Sequence, residues 1–294
     1  MCAVERGIST HGSKKVIIDK YKHPVLFYCL ATIIPWAFWF VAGYVSHITP
    51  YSNTYLQIAS VIAFIGLLGP AIVSYWLIRK NPNLRVDVYS RLFNFKSIKP
   101  IYILVACFLM PASILLAQAI SLLFGYSASQ FEIAEHFSFT SGIFPVWFML
   151  IIAPILEELG WHSYGTDCLR NRMNIVKTSL LFGVYWGIWH MPLTTIRDYY
   201  QANIVETSWI YGVNFLVSII PFTLLMNWLY YKTGRNIIVA IIFHITAGFF
   251  NEIFATNPDS KIIQTILLLV LTVMIILNNR SFFFQKEVSA LESS

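Results

Sequence analysis

Two adjacent carboxylates, Glu157 and Glu158, stand in PILEELGWHSYG (154–165), at the end of a strongly apolar run. Two histidines stand in similar surroundings, His190 in LLFGVYWGIWHMPL and His244 in IIVAIIFHITAGFFNEIF. An ionised side chain at bilayer depth costs about 2.5 kcal/mol or more, so such a position marks a functional site before any other role. A carboxylate and an imidazole together hold and deprotonate a water, directly or on a divalent metal. A second imidazole binds the metal or donates to the oxyanion that forms when water attacks an amide.

For this chemistry the three side chains must meet, and the elements that carry them are membrane spans. Of the 294 residues, 57% are hydrophobic and 12% charged, with a mean hydropathy of +0.65. A soluble domain is about a quarter charged. Eight apolar runs are near the length of about 20 residues that crosses a bilayer: roughly 24–46, 55–79, 99–124, 144–165, 178–196, 209–231, 236–255 and 261–279. The fold expected is therefore all-α: a polytopic membrane protein of about eight transmembrane helices.

Lys and Arg gather in alternate connections. The second holds Arg79, Lys80, Arg85, Arg91, Lys96 and Lys99, the fourth Arg170, Arg172 and Lys177, and the sixth Lys232 and Arg235. The first and third have none, and the stretch after the fifth run has Arg197 alone. This alternation predicts that both termini are cytoplasmic. Residues 1–23 read as a cytoplasmic tail without a signal-peptide plan, 24–279 as a single helical domain and 280–294 as a second tail. The net charge of +6 thus belongs to membrane orientation, and no nucleic-acid partner is implied. Cys2, Cys29, Cys107 and Cys168 have no CxxC spacing, so neither a zinc knuckle nor a disulfide framework is indicated.

With that topology the polar groups fall at compatible depths. At about 1.5 Å per residue, Glu157 lies about 20 Å from a cytoplasmic helix end near residue 170. His190 lies about 18 Å and His244 about 12 Å beyond the starts of their spans. One carboxylate and two imidazoles are thus able to meet inside the bundle.

EELGWHSYG, WGIWHMPL and FHITAGFFN resemble, in order and spacing, the motifs of the CPBP family of CAAX proteases and bacteriocin-processing enzymes, also called Abi. The family pattern is EExxxR, an aromatic followed four residues later by His, and HxxxN. The resemblance covers about residues 100–255, the protease-like core. It implies intramembrane proteolysis by a glutamate-activated water, with or without a divalent metal; the metal expected is zinc, held by Glu157, His190 and His244. On this resemblance Glu157 activates water and Glu158 supports the site from the neighbouring face. His190 holds the water or metal, and His244 is a further ligand or an oxyanion donor. Trp186 takes the aromatic place, one turn before His190. Substrates would be membrane-associated, either prenylated CAAX peptides or bacteriocin and signalling-peptide precursors, reaching the site through a bundle that opens to the cytoplasm.

The chain departs from the pattern twice. His162 stands where the family has Arg, on the same helical face as Glu158. Gly248 stands where the third motif has Asn, and a glycine offers no side-chain donor to an oxyanion, a loss worth about 10²–10³ in rate elsewhere. Asn251, about 10 Å along the helix from His244, does not fill that place. Asp167, Arg170 and Arg172 read as part of a connection. Arg197 and Asp198 read as a cap on the outer mouth, and Glu252 as a residue near the outer surface.

The leading reading is a membrane endopeptidase, and strong positive-inside bias with short loops suits a bacterial inner membrane. Its alternatives are a catalytically weakened relative acting in peptide binding, immunity or regulation, and a transporter-like proton relay. The lack of repeat symmetry between the halves argues against the relay.

Overall fold

The computed structural model describes residues 17–95 and 98–285. Arg6, His11, Lys14, Lys15, Lys96 and Lys286 fall outside them. Polar caps and prolines set where helices begin. Ser52, Asn174, Ser208, Asn236 and Asn257 each accept a hydrogen bond from a first-turn amide, while Pro24, Pro82, Pro100 and Pro258 occupy first-turn positions that need no donor.

The helices are α1 (Pro24–Ser46), α2 (Asn53–Leu67), α3 (Gly69–Arg79), α4 (Pro82–Phe93), α5 (Pro100–Ser121), α6 (Val146–Gly160), α7 (Thr166–Arg170), α8 (Ile175–Trp189), α9 (Tyr200–Thr207), α10 (Trp209–Lys232), α11 (Ile237–Ile253), α12 (Pro258–Asn278) and α13 (Arg280–Phe284). No strand forms among the described residues, only an isolated bridge between Ile133 and Phe254. The chain is an all-α, multi-pass membrane protein. Five segments are long and apolar enough to cross a bilayer: Pro24–Ser46, Asn53–Arg79, Pro100–Phe124, Trp209–Lys232 and Pro258–Asn278. Their outer faces carry exposed side chains such as Ile33, Phe108, Val213, Ile266 and Val270, as a lipid-facing surface requires.

The three helices that carry the motifs are shorter. α6 and α8 have 15 residues each and α11 has 17. α6 packs on α3 and α11, α8 on α10, and α11 on α5. α6 also continues through a π-helical turn, Trp161–Gly165, into α7. The fifth apolar run was expected to continue to residue 196, but its α-helix ends at Trp189. His190 caps it and a 3-10 segment, Met191–Thr195, follows, because Pro192 has no amide hydrogen to continue the ladder. The second run divides at Leu68, where Gly69 and Pro70 begin a new helix. Parts of the expected tails are packed into the bundle, with Tyr21 and Phe283 both buried.

Two glycines permit close helix contacts. A Cβ on Gly160 would lie 2.6 Å from Pro70 Cβ, so α6 and α3 touch only without it. A Cβ on Gly43 would lie 2.4 Å from Thr195 Oγ1, so the segment after His190 rests directly on α1. Trp189 Nε1 donates to the Ala31 carbonyl at 2.8 Å, and Trp36 Nε1 to the Trp189 carbonyl at 3.1 Å. These bonds fix the end of α8, and with it His190.

Candidate active site

Glu157 and Glu158 both lie inside the bundle, the second fully buried, but they face different partners. Oε2 of Glu157 accepts from Trp186 Nε1 at 2.9 Å and from Trp161 Nε1 at 3.4 Å. Oε1 has no protein donor among the described residues, and Glu157 lines a cavity of about 180 Å³, large enough for more than one water. His190, His244 and Gly248 line the same cavity. Glu158 looks inward, with Oε1 2.8 Å from His244 Nδ1 and Oε2 against His162 Nδ1.

The hydrogen bonds fix the imidazole tautomers. His190 Nδ1 is 2.7 Å from the Trp186 carbonyl, which only accepts, so Nδ1 carries hydrogen and neutral Nε2 presents a lone pair. His244 Nδ1 faces a carboxylate, so it carries hydrogen as well. Trp186 joins the group: its ring centroid is 5.1 Å from His244 and 5.6 Å from His190, while its N–H holds Glu157.

His162 occupies the place of the family Arg, with its Nδ1 against Glu158 Oε2. Ser179 Oγ donates to the Ile175 carbonyl at 2.8 Å, so it accepts from Asn227 Nδ2 at 2.9 Å. That orientation turns Asn227 Oδ1 towards His162 Nε2, at 3.0 Å. An oxygen thus lies against each ring nitrogen of His162. Gly248 has no such replacement on its own helix. Asn251 Nδ2 instead donates to Tyr200 Oη at 3.2 Å.

Behind the site lies an ion cluster that sequence reading had divided among connections. Asp167 is fully buried between Arg91 and Arg235, at 3.1 Å from Arg91 Nη1 and 3.1 Å from Arg235 Nε. Asp87 completes it, taking Arg235 at 3.0 and 2.9 Å and the Tyr21 hydroxyl at 2.7 Å. Burial alone would raise the Asp167 carboxyl, but the Arg235 and Arg91 guanidinium groups outweigh it and hold it below its ordinary value. Arg91 also donates to the carbonyls of His162, at 2.8 Å, and Ser163, at 3.0 Å. The cluster thereby clamps the π turn that aims His162.

The cavity extends from Glu157 and His244 to Phe139, Thr140, Arg197 and Glu252. Its mouth is therefore among the connections poor in Lys and Arg. Glu252 sits in that mouth, where its Oε2 accepts from Ser138 N at 3.1 Å and Ser138 Oγ at 2.6 Å, while Lys261 stands 3.6 Å from Oε1. It fastens a connection to two helices.

Among the described residues no three His, Cys, Asp or Glu side chains gather as a group able to hold a metal ion. Glu157, His190 and His244 share a cavity without closing into such a shell. The donor set thus gives the expected zinc no ready seat, and the chemistry below is carried by side chains.

A multi-pass helical bundle with an indole-bound carboxylate and two oriented imidazoles in an internal cavity is the architecture of a membrane-embedded hydrolase. Residues 139–250 match the family described as type II CAAX prenyl endopeptidase, Rce1-like. The chain is also 40% identical over 273 residues to the CAAX prenyl protease 2 of Methanococcus maripaludis, covering 92% of this chain and 99% of that protein. It belongs to the Rce1-like CAAX prenyl endopeptidase family and is a CAAX-protease-like membrane endopeptidase.

Proposed function

We propose that the chain hydrolyses a peptide bond near the C-terminus of a membrane-associated, prenylated CAAX-type substrate by direct attack of water. The observation that carries this reading is the asymmetry at Glu157: two indoles hold one oxygen, and the other is left to the cavity. A water there donates one hydrogen to Glu157 Oε1 and the other to the His190 Nε2 lone pair. Glu157 takes the first proton as the water oxygen bonds to the scissile carbonyl carbon. His244, as an imidazolium whose charge Glu158 balances, donates Nε2–H to the resulting oxyanion. When the C–N bond breaks, the proton held by Glu157 passes to the leaving amine, so the carboxylate is regenerated.

A second cavity, of about 200 Å³, reaches His190 and His244 from between α10 and α12 and is lined by Met110, Phe215, Phe222 and Leu268. Its apolar lining supports a substrate carrying a hydrocarbon group. Gly248 favours one other reading, a relative that binds such peptides in an immunity or regulatory role with little turnover.

The test is peptide cleavage by the purified protein in liposomes, followed by mass spectrometry. The hydrolase reading predicts release of the C-terminal tripeptide from a prenylated peptide, unchanged by a metal chelator. Retention of an uncleaved peptide supports the binding reading. Cleavage abolished by the chelator and restored by zinc would overturn the metal-free route.

A further inference from the structure

Arg197 is a half-buried cation without a counterion. It follows the 3-10 segment after His190, lines the cavity that holds Glu157, and has no carboxylate partner among the described residues. Its guanidinium carbon lies 5.5 Å from the Tyr51 ring centroid, a contact that steadies the side chain without neutralising it. Its amide donates to Ser46 Oγ at 3.1 Å, and the next residue's carbonyl accepts from Thr140 N at 2.9 Å. The backbone is thus held from two sides.

Neither acid of the cavity pairs with it among the described residues. Glu157 is bound by two indoles, and Glu252 by Ser138 and Lys261. Among the described residues, Arg197 thus offers the mouth a positive charge with no ion-pair partner. A guanidinium in that state suits a carboxylate, which it grips with two parallel hydrogen bonds.

The spacing fits a particular carboxylate. Five residues of 3-10 helix at about 2 Å each carry the chain about 10 Å from His190 to Thr195, two residues before Arg197. Three extended residues span about the same distance. We propose that Arg197 binds the free C-terminal carboxylate of the substrate, three residues beyond the bond that is cut. This rests on the endopeptidase reading above and adds what it lacks, a reason for the enzyme to cut at a fixed distance from a chain end.

Two measurements keep the failure of one apart from the failure of the other. In the first, matched prenylated peptides ending in a carboxylate or an amide are cleaved by wild type, Arg197→Ala and Arg197→Lys. Amidation should raise the wild-type KM about tenfold or more with kcat little changed, the size expected for a hydrogen bond to a charged group. In Arg197→Ala the two peptides should have equal KM, and Arg197→Lys should regain part of the preference. An undiminished preference for the carboxylate in Arg197→Ala overturns the proposal while leaving the endopeptidase intact. In the second, which needs no turnover, the free tripeptide and its amide are titrated into each variant. Wild type should bind the acid more tightly, and Arg197→Ala should not distinguish them. Equal binding of acid and amide by wild type overturns the proposal, whether or not any peptide is cleaved.

Discussion

Glu157 and Glu158 are chain neighbours, and successive side chains on a helix point about 100° apart. One consequently faces the cavity and the other the inner imidazoles. Their types and depth were legible in the sequence, as were those of His190 and His244, because ionisable groups inside apolar runs are conspicuous. The indoles of Trp161 and Trp186 as donors to Glu157 were not, since a tryptophan in a membrane helix reads equally well as packing. Asn227 and Ser179 escaped for another reason: their effect on His162 depends on which way an amide turns, and sequence carries no trace of that. Gly248 was legible as a departure, and its surroundings suggest a gain of function. A Cβ there meets only Leu150 Cδ2, at 3.8 Å, so a larger side chain begins in open space. Gly248→Asn should raise kcat, by up to about 10²–10³ if the amide reaches the oxyanion. A steady-state assay showing unchanged kcat with intact folding would mean that the oxyanion already has its donors.

The helices that carry the site owe their placement to interruptions more than to apolar periodicity. α8 stops at His190, α6 passes into a π turn at Trp161, and α3 restarts at Gly69. Pro192 and the Gly69–Pro70 pair announce two of these breaks. The π turn has no such signal, because it is fixed from outside by Arg91 on α4, a helix about 70 residues earlier in the chain. Pairings at that separation are invisible to a reading that sees only charges gathered in connections, so Asp167, Arg91 and Arg235 were missed as a unit. Removing the buried acid leaves two arginines facing one remaining carboxylate, and breaking such a pair costs about 3–5 kcal/mol. Asp167→Asn should lower the thermal midpoint in detergent accordingly, whereas an unchanged midpoint would show that the cluster contributes nothing. The pH dependence has a definite sign. The Asp167 carboxyl is held below its ordinary value of 3.8. Its contribution is therefore complete above that value and is lost as pH falls through the lower folded-state one. Between pH 5 and 8 the wild-type midpoint should not change on account of this residue.

Across the described residues, the Asp167 cluster and the mouth of the Glu157 cavity lie among different connections. Eight apolar runs all became helix, and the all-α membrane fold follows from composition and run length alone. The opening was not legible, because it depends on how helices splay, and Lys and Arg counts report only which end faces the cytoplasm. That rule predicts the connections at the mouth on the side away from the cytoplasm. In a background without native cysteines, an impermeant thiol reagent applied to intact cells should label Ser129→Cys, in the same Lys- and Arg-free connection as Phe139 and Thr140. It should reach Asn83→Cys only after permeabilisation, and the reverse pattern would place the mouth in the cytoplasm. The account as a whole turns on one oxygen of one side chain, left free by two indoles to take a proton from water. Its most direct test is the cleavage rate of Glu157→Gln in liposomes, measured beside its thermal midpoint. The result predicted is loss of turnover by about 10³-fold or more with the fold retained. A folded Glu157→Gln protein that cleaves peptide within tenfold of wild type would contradict it.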